Sequence, residues 1–371
     1  MHPPKGRIDI LDGFRAIAIL LVLFYHFFSS WTLPYTNSPM YPYGDKYSYF
    51  KFGFTGVEFF FIISGFVIFF SLDYTSNFIT FWKKRAIRLL PSIIIASIIT
   101  FLFLRFFDTN NLFPTRRAWI NFIPSITFLP PNLLNFIFQN KIQFNYINGS
   151  YWSLWPEIQF YFLVSSIYFL KKNKFIEIYI LASVIIIIAN FLLNNIKGAN
   201  YFHLSLSETI LNYHTHLTSR VLNIVVFIPF FSSGVLFYLL FKNKKLNIKT
   251  PLIVKCSLAF FILSAISYGN EIEIKIIYGL FFLLFFVFIY WPDTIKIFTN
   301  QYLLKIGVCS YFLYLIHEVI GVLLINKFSA YLKGLDFLFP LLLIIVLIAI
   351  SYLYTVKIEK RVDTFLRNKL N

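Results

Sequence analysis

Apolar runs of about 17–22 residues recur from one end of the chain to the other, and a helix of that length crosses a hydrocarbon core of about 30 Å. No other feature restricts the fold as much. In lipid a backbone must satisfy its own hydrogen bonds, so runs of this length become helices. They fall near 10–30, 52–72, 86–106, 151–169, 176–194, 222–241, 252–268, 273–291, 304–325 and 336–356. The expectation is an all-α polytopic membrane protein of about ten transmembrane helices. It reads as a single integral-membrane domain over 1–371 with a basic tail at 357–371. The first run has no small-residue cleavage site behind it, so it reads as a retained helix rather than a signal peptide. Segment 119–138 is apolar but interrupted by Pro124, Pro130 and Pro131. It reads as a buried or re-entrant piece instead of an eleventh span.

Composition agrees: 58% of residues are apolar and mean hydropathy is +0.71, which excludes a soluble globular domain. A formal charge of +17 would point a soluble protein toward nucleic acid. Here Lys and Arg gather in short loops between apolar runs, at 83–88, 171–174 and 242–249, with no nucleic-acid-binding motif beside them. The partner they imply is the lipid bilayer. The bias places both termini in the cytoplasm of a cell (inner or plasma) membrane, as an even number of spans requires. On that topology the longest connections, 107–150 and 195–221, lie outside and read as a lid or acceptor-binding surface. Cys256 and Cys309 are too few for a disulfide framework or a cysteine metal site. His214 and His216 have metal-like spacing but lack further ligands, so no metal is expected.

The informative residues are the ionisable ones that apolar spans should not contain. Arg15 and His26 lie eleven positions apart in the first run. On a helix they are about 16 Å apart along the axis and about 20° short of three full turns, so both leave nearly the same face. Glu58 is an acid about 9 Å into the second span, near the depth of His26. A packing acid neutralised by a proton or a hydroxyl is the plainer account of it. Arg85 and Arg88 share a face at the entry to the third span, where guanidinium forks suit phosphates, although positively charged residues also anchor helices to headgroups there. Trp152 and Glu157 open the fourth span. Trp152 suits an interfacial belt, and Glu157 is favourable near a helix N-terminus even without chemistry to do. In the ninth span Ser310, Tyr314 and His317 fall on one face, with His317 about 20 Å from the start. A lone histidine of this kind is commonly a satisfied hydrogen-bonding group.

These segments together resemble the membrane acyltransferase-3 family, whose members O-acylate cell-envelope sugars and related molecules. The resemblance is carried by Leu11-Asp12-Gly13-x-Arg15, Arg15-x10-His26, Gly56-Val57-Glu58-Phe59-Phe60-x3-Ser64-Gly65-Phe66, Arg85-x2-Arg88, Trp152-Ser153-Leu154-x2-Glu157-x2-Phe160-Tyr161 and Ser310-Tyr311-x2-Tyr314-Leu315-x-His317. It implies an acyl-CoA donor, acetyl-CoA or another, with Arg15 and His26 essential and Arg85/Arg88 near the CoA. The implied acceptor is a saccharide or lipid-linked saccharide. Glu58 stands where such proteins usually carry Asp, and the sequence ends without the extracytoplasmic hydrolase-like domain that some members append.

A neutral His26 suits a general base that takes the acceptor hydroxyl's proton, with Glu58 or Glu157 orienting the ring. An acyl-histidine intermediate is equally compatible. Tyr314, His317, Trp152 and Ser310 read as acceptor or supporting residues. A transporter or flippase of a polar envelope precursor would line its path with the same charges. The inverted repeats many transporters show are not evident.

Overall fold

The computed structural model describes residues 8–29, 32–33, 36–39, 44–196, 213–218 and 221–370. Lys5 and Arg7, basic residues ahead of the first apolar run, and most of the connection 195–221 lie outside the described residues. Each of the ten apolar runs carries a helix: α1 (Asp9–Phe28), α2 (Gly56–Leu72), α3 (Phe78–Phe107), α6 (Leu154–Leu170), α7 (Phe175–Ile196), α8 (Ile224–Lys245), α9 (Leu252–Ser267), α10 (Ile272–Tyr290), α11 (Gln301–Phe328) and α12 (Leu338–Tyr354). Among the described residues eight are long and apolar enough to cross a membrane, α2 counted with the helical turns from Lys46 and α12 with those up to Lys369; α9 is a shorter apolar helix of 16 residues and α6 has 17. Among the described residues this multi-pass membrane protein is all-helical apart from one short antiparallel pair, Thr32–Leu33 with Thr36–Pro39.

Segment 119–138 folds into two short helices, α4 (Phe122–Thr127) and α5 (Pro131–Ile137). At six and seven residues they are far too short to span. The prolines explain this: Pro131 starts α5 at a position needing no N–H donor, and Phe128 ends α4 in the left-handed region at φ 64°. The basic tail is also helical. A π-turn at Thr355–Glu359 joins α12 to α13 (Lys360–Leu370).

The chain forms two compact units. Unit 1 gathers Glu58–Phe81 and Ser153–Pro292; unit 2 gathers Arg7–Val57, Trp82–Trp152 and Asp293–Asn371. In unit 1, α8 packs against α6, α7, α9 and α10, and phenylalanine rings do most of the filling. Phe231 stacks on Phe160 with centroids 4.4 Å apart, and Phe237 on Phe285 at 5.0 Å. At the basic end of α8, Asp73 accepts a hydrogen bond from Tyr238 (2.7 Å) and pairs with Lys242 (2.6 Å). That acid balances one of the three lysines in the last turn of α8.

In unit 2, α1 packs along α11 and α11 along α12. The first two run in the same direction, because Asp12 lies against Gly307 near their starts and His26 against His317 further on. The close approach depends on Gly307: a methyl group there would collide with the Asp12 carbonyl, and small residues are what let membrane helices meet backbone to backbone. Gly307→Leu is therefore expected to destabilise unit 2 by about 1–3 kcal/mol, the usual cost of overpacking. Thermal unfolding in detergent reads this as a lowered Tm. An unchanged Tm would mean that α1 and α11 do not meet so closely.

The segment following α3 is pinned by side-chain hydrogen bonds to backbone. Asp108 accepts from the Leu112 and Phe113 N–H groups and pairs with Arg117 at 2.8 Å. Asn121 donates to Thr115 and accepts from the Asn145 N–H, Asn135 brackets Phe144, and Ser125 accepts from the Ile147 N–H. Irregular backbone at the end of a membrane bundle needs such partners. Phe113 and Ile147 then pack with Phe101, Leu104, Val319, Val322 and Leu323 in one buried cluster. Residues 108–152 thus form a folded cap fixed to the later half of α11.

Candidate active site

The α1–α11 packing sets the site. His26, on α1, and His317, on α11, face each other with ring centroids 5.0 Å apart and planes tilted by 54°. His317 is fully buried. Its Nδ1 sits 2.8 Å from the Tyr314 carbonyl, which can only accept, so Nδ1 carries the proton and Nε2 of the neutral ring holds a lone pair. That Nε2 has no hydrogen-bond partner among the described residues. The ring is therefore held in one tautomer, with its acceptor nitrogen available.

Beside the pair stands a buried ion pair from two distant parts of the sequence. Glu318 Oε1 lies 3.1 Å from Arg116 Nη1, with the carboxylate side chain only 4% exposed. Arg116 sits in the short turn Pro114–Arg117 of the cap, its guanidinium 4.7 Å above the Phe113 ring. Consecutive residues leave a helix about 100° apart, so Glu318 and His317 do not point the same way. Arg116 connects their surroundings, for it pairs with Glu318 and lies within electrostatic reach of His26. Gly149 makes room: a Cβ there would meet Arg116 Nη2 at 2.9 Å and collide with Glu318 Oε1.

The cap is tied to the same turns of α11. Asn148 donates to the Leu315 carbonyl (2.8 Å), Ser150 to the Tyr314 carbonyl (3.2 Å), and Tyr314 returns a bond to the Ser150 carbonyl (2.9 Å). Ser310, about one turn before Tyr314 on α11, spends its hydroxyl on the Gly307 carbonyl at 2.8 Å. Trp152 is 39% exposed at the end of the cap.

Arg15 makes a 2.7 Å ion pair with buried Asp12, its side chain 23% exposed. It belongs to α1 with His26, about 16 Å along the axis. On α3, Arg88 is exposed and Arg85 half-buried. The adjacent Leu89 carbonyl accepts from Tyr311 at 3.2 Å. Leu89 and the Asp12 end of α1 thus both register against the Gly307–Tyr311 stretch of α11, and Arg15 and Arg88 lie near one level, not one behind the other. From Arg88 to the cap at Asp108 is about 30 Å of helix.

Glu58 and Glu157 belong to unit 1 and have partners there. Tyr278 donates to Glu58, and Glu157 Oε1 accepts from Ser64 (2.8 Å) and from the Tyr161 hydroxyl. The acid that the fold ties to the His26–His317 neighbourhood within unit 2 is Glu318, which the sequence reading passed over. The available signal was a second ionisable residue next to His317 in an apolar run. Arg116 and Gly149 gave none, lying 202 and 169 positions away in chain numbering from Glu318. Among the described residues no group of three or more His, Cys, Asp or Glu side chains is placed to hold a metal ion, and Cys256 and Cys309 are free thiols.

The family model described as "Acyltransferase domain" matches residues 8–356. A Bacillus subtilis protein named "Putative peptidoglycan O-acetyltransferase" is 31% identical over 179 residues, covering 44% of this chain and 25% of its own length. A Staphylococcus aureus protein named "Putative O-acetyltransferase" is 28% identical over 337 residues, covering 83% of this chain and 49% of its own length. The chain thus spans half or less of the length of these relatives. No solved structure matches. With the family model matching nearly end to end, over the same helices that hold Arg15, His26, Arg85, Arg88 and His317, the chain belongs to the acyltransferase-3 family of membrane proteins.

Proposed function

We propose that this chain is a membrane O-acetyltransferase. It moves an acyl group, acetyl in the first instance, from cytoplasmic acyl-CoA to a hydroxyl of a saccharide or lipid-linked saccharide at the outer face. The observation that carries the reading is the facing pair of imidazoles, His26 and His317, about 16 Å along α1 from Arg15. The printed names of the relatives, one of them for peptidoglycan, support acetyl as the group and a saccharide as acceptor.

In this reading Arg85, Arg88 and Arg15 hold the donor's phosphates at the basic end of unit 2, where planar guanidinium forks bind phosphate oxygens in pairs. The phosphates are too strongly hydrated to enter the hydrocarbon core. The pantetheine arm, on the order of half the core thickness, carries the thioester toward His26. His26 takes the acceptor hydroxyl's proton as its oxygen attacks the thioester carbon. The new C–O bond forms and the carbonyl electron pair moves to oxygen. On its return the C–S bond breaks, and the CoA thiolate leaves with the proton that His26 gives up. His317 stabilises the transient imidazolium, its Nε2 lone pair accepting the ring N–H of His26 in the position a carboxylate holds in a Ser-His-Asp triad. In this reading both termini lie in the cytoplasm of the cell membrane, which the basic loops on the donor side support.

The donor half is tested separately. Replacing Arg85 and Arg88 together by Ala is expected to weaken CoA binding roughly 10–100-fold, the range for lost charge-assisted hydrogen bonds. Arg88→Lys, which keeps the charge and loses the fork, is expected to fall between. Calorimetry with CoA on purified protein reads both. Unchanged affinity in the double variant would return the arginines to topology anchoring.

A further inference from the structure

The proposed transfer uses His26 and His317 and leaves a buried carboxylate of unit 2 half used. Glu318 has one carboxylate oxygen paired with Arg116, while the other, Oε2, has no hydrogen-bond partner among the described residues. Arg116 offers five N–H donors, and Nη1 is engaged with Glu318. A carboxylate oxygen buried without a donor costs free energy comparable to a lost charged hydrogen bond, so a fold that keeps one beside a reactive pair is built to receive a donor from elsewhere. Arg116 pairs with Glu318 and lies within electrostatic reach of His26, and Gly149 leaves space beside that pair.

An acceptor-only oxygen beside a guanidinium matches an alcohol. A hydroxyl donates one proton and accepts on two lone pairs. It cannot be the reacting hydroxyl, which the histidine pair takes.

Resting on the acyltransfer reading, we propose that Glu318 and Arg116 form a specificity subsite that binds a second, non-reacting hydroxyl of the acceptor. That hydroxyl donates to Glu318 Oε2 and accepts from Arg116. The acceptor is therefore a polyol in which the reacting hydroxyl has a hydroxyl neighbour, and isolated alcohols are poor substrates. Sites built to hydrogen-bond a substrate hydroxyl reject the analogue that lacks it far more strongly than an apolar pocket rejects a methyl group.

The test uses the whole chain in detergent, labelled acetyl-CoA, and a panel of methyl glucopyranoside with its monodeoxy derivatives. In the unaltered protein, the derivative lacking the reacting hydroxyl gives no product. At least one other is expected to lose roughly 10–100-fold in kcat/KM, the range for a hydrogen bond to a charged group. In Glu318→Gln that second penalty is expected to fall within about threefold of unity. The panel in the unaltered protein needs no variant to fold. Should every derivative that keeps the reacting hydroxyl react within about threefold of the parent, or the penalty survive undiminished in Glu318→Gln, the subsite is overturned while acyltransfer stands. Should the protein acetylate no sugar in the panel while hydrolysing acetyl-CoA, the saccharide reading itself fails and takes the subsite with it.

Discussion

His26→Ala is expected to lose acyl transfer by at least about 10²–10⁴-fold, the usual contribution of a general base, at unchanged abundance in the membrane. The side chain faces His317 within electrostatic reach of Arg116, and its loss removes the proton acceptor with little apolar packing. His317→Ala is expected to fall less far, because it takes away the group that stabilises the charged ring and leaves the base. Transfer from acetyl-CoA to a soluble sugar, normalised to detergent-extracted protein, measures both. Activity of His26→Ala within a few-fold of the unaltered protein would remove His26 as base or nucleophile.

The second large effect is expected at Arg116, and on stability. Its guanidinium is the partner of a carboxylate that is 4% exposed. Removing one member of a buried pair strands the other and typically costs about 3–5 kcal/mol. Arg116→Ala is therefore expected to lower the Tm in detergent well beyond the effect of a surface substitution. Adding Glu318→Gln to it should recover much of the loss, since the stranded charge is then gone. If the double variant is as unstable as the sum of the two singles, the pair is not coupled and the cap is held by its asparagine and serine bonds alone.

The helices were legible because the bilayer leaves so few solutions for an apolar run: α1 to α3 and α6 to α12 lie where the runs lie, with α6 and α9 at the short limit. Arg15 and His26 were legible together because both sit on one helix, where spacing alone sets depth and face. His317 was visible as a histidine in an apolar run, but its partnership with His26 was not, since it depends on α1 and α11 running side by side over Gly307. Glu318 and Arg116 were harder still. Their pairing joins α11 to a cap whose order comes from single Asn, Asp and Ser side chains bonding to backbone, and such bonds have no periodicity to read. Glu58 and Glu157, chosen by their depth in apolar sequence, are instead held by Tyr278, Ser64 and Tyr161 within unit 1. The basic tail read only as charge, yet its apolar Val362, Phe365 and Leu366 recur at steps of three and four, as in a helix.

The central claim is that an acyl group entering as CoA thioester on the side of Arg85 and Arg88 leaves on a hydroxyl at the side of the cap. Sealed vesicles with the protein in one orientation, given labelled acetyl-CoA on the face of the basic loops and a membrane-impermeant sugar on the opposite face, test it directly. The account predicts labelled O-acetyl sugar across the membrane from the CoA, and none in His26→Ala vesicles. Label appearing only on sugar placed on the same face as the CoA would contradict it.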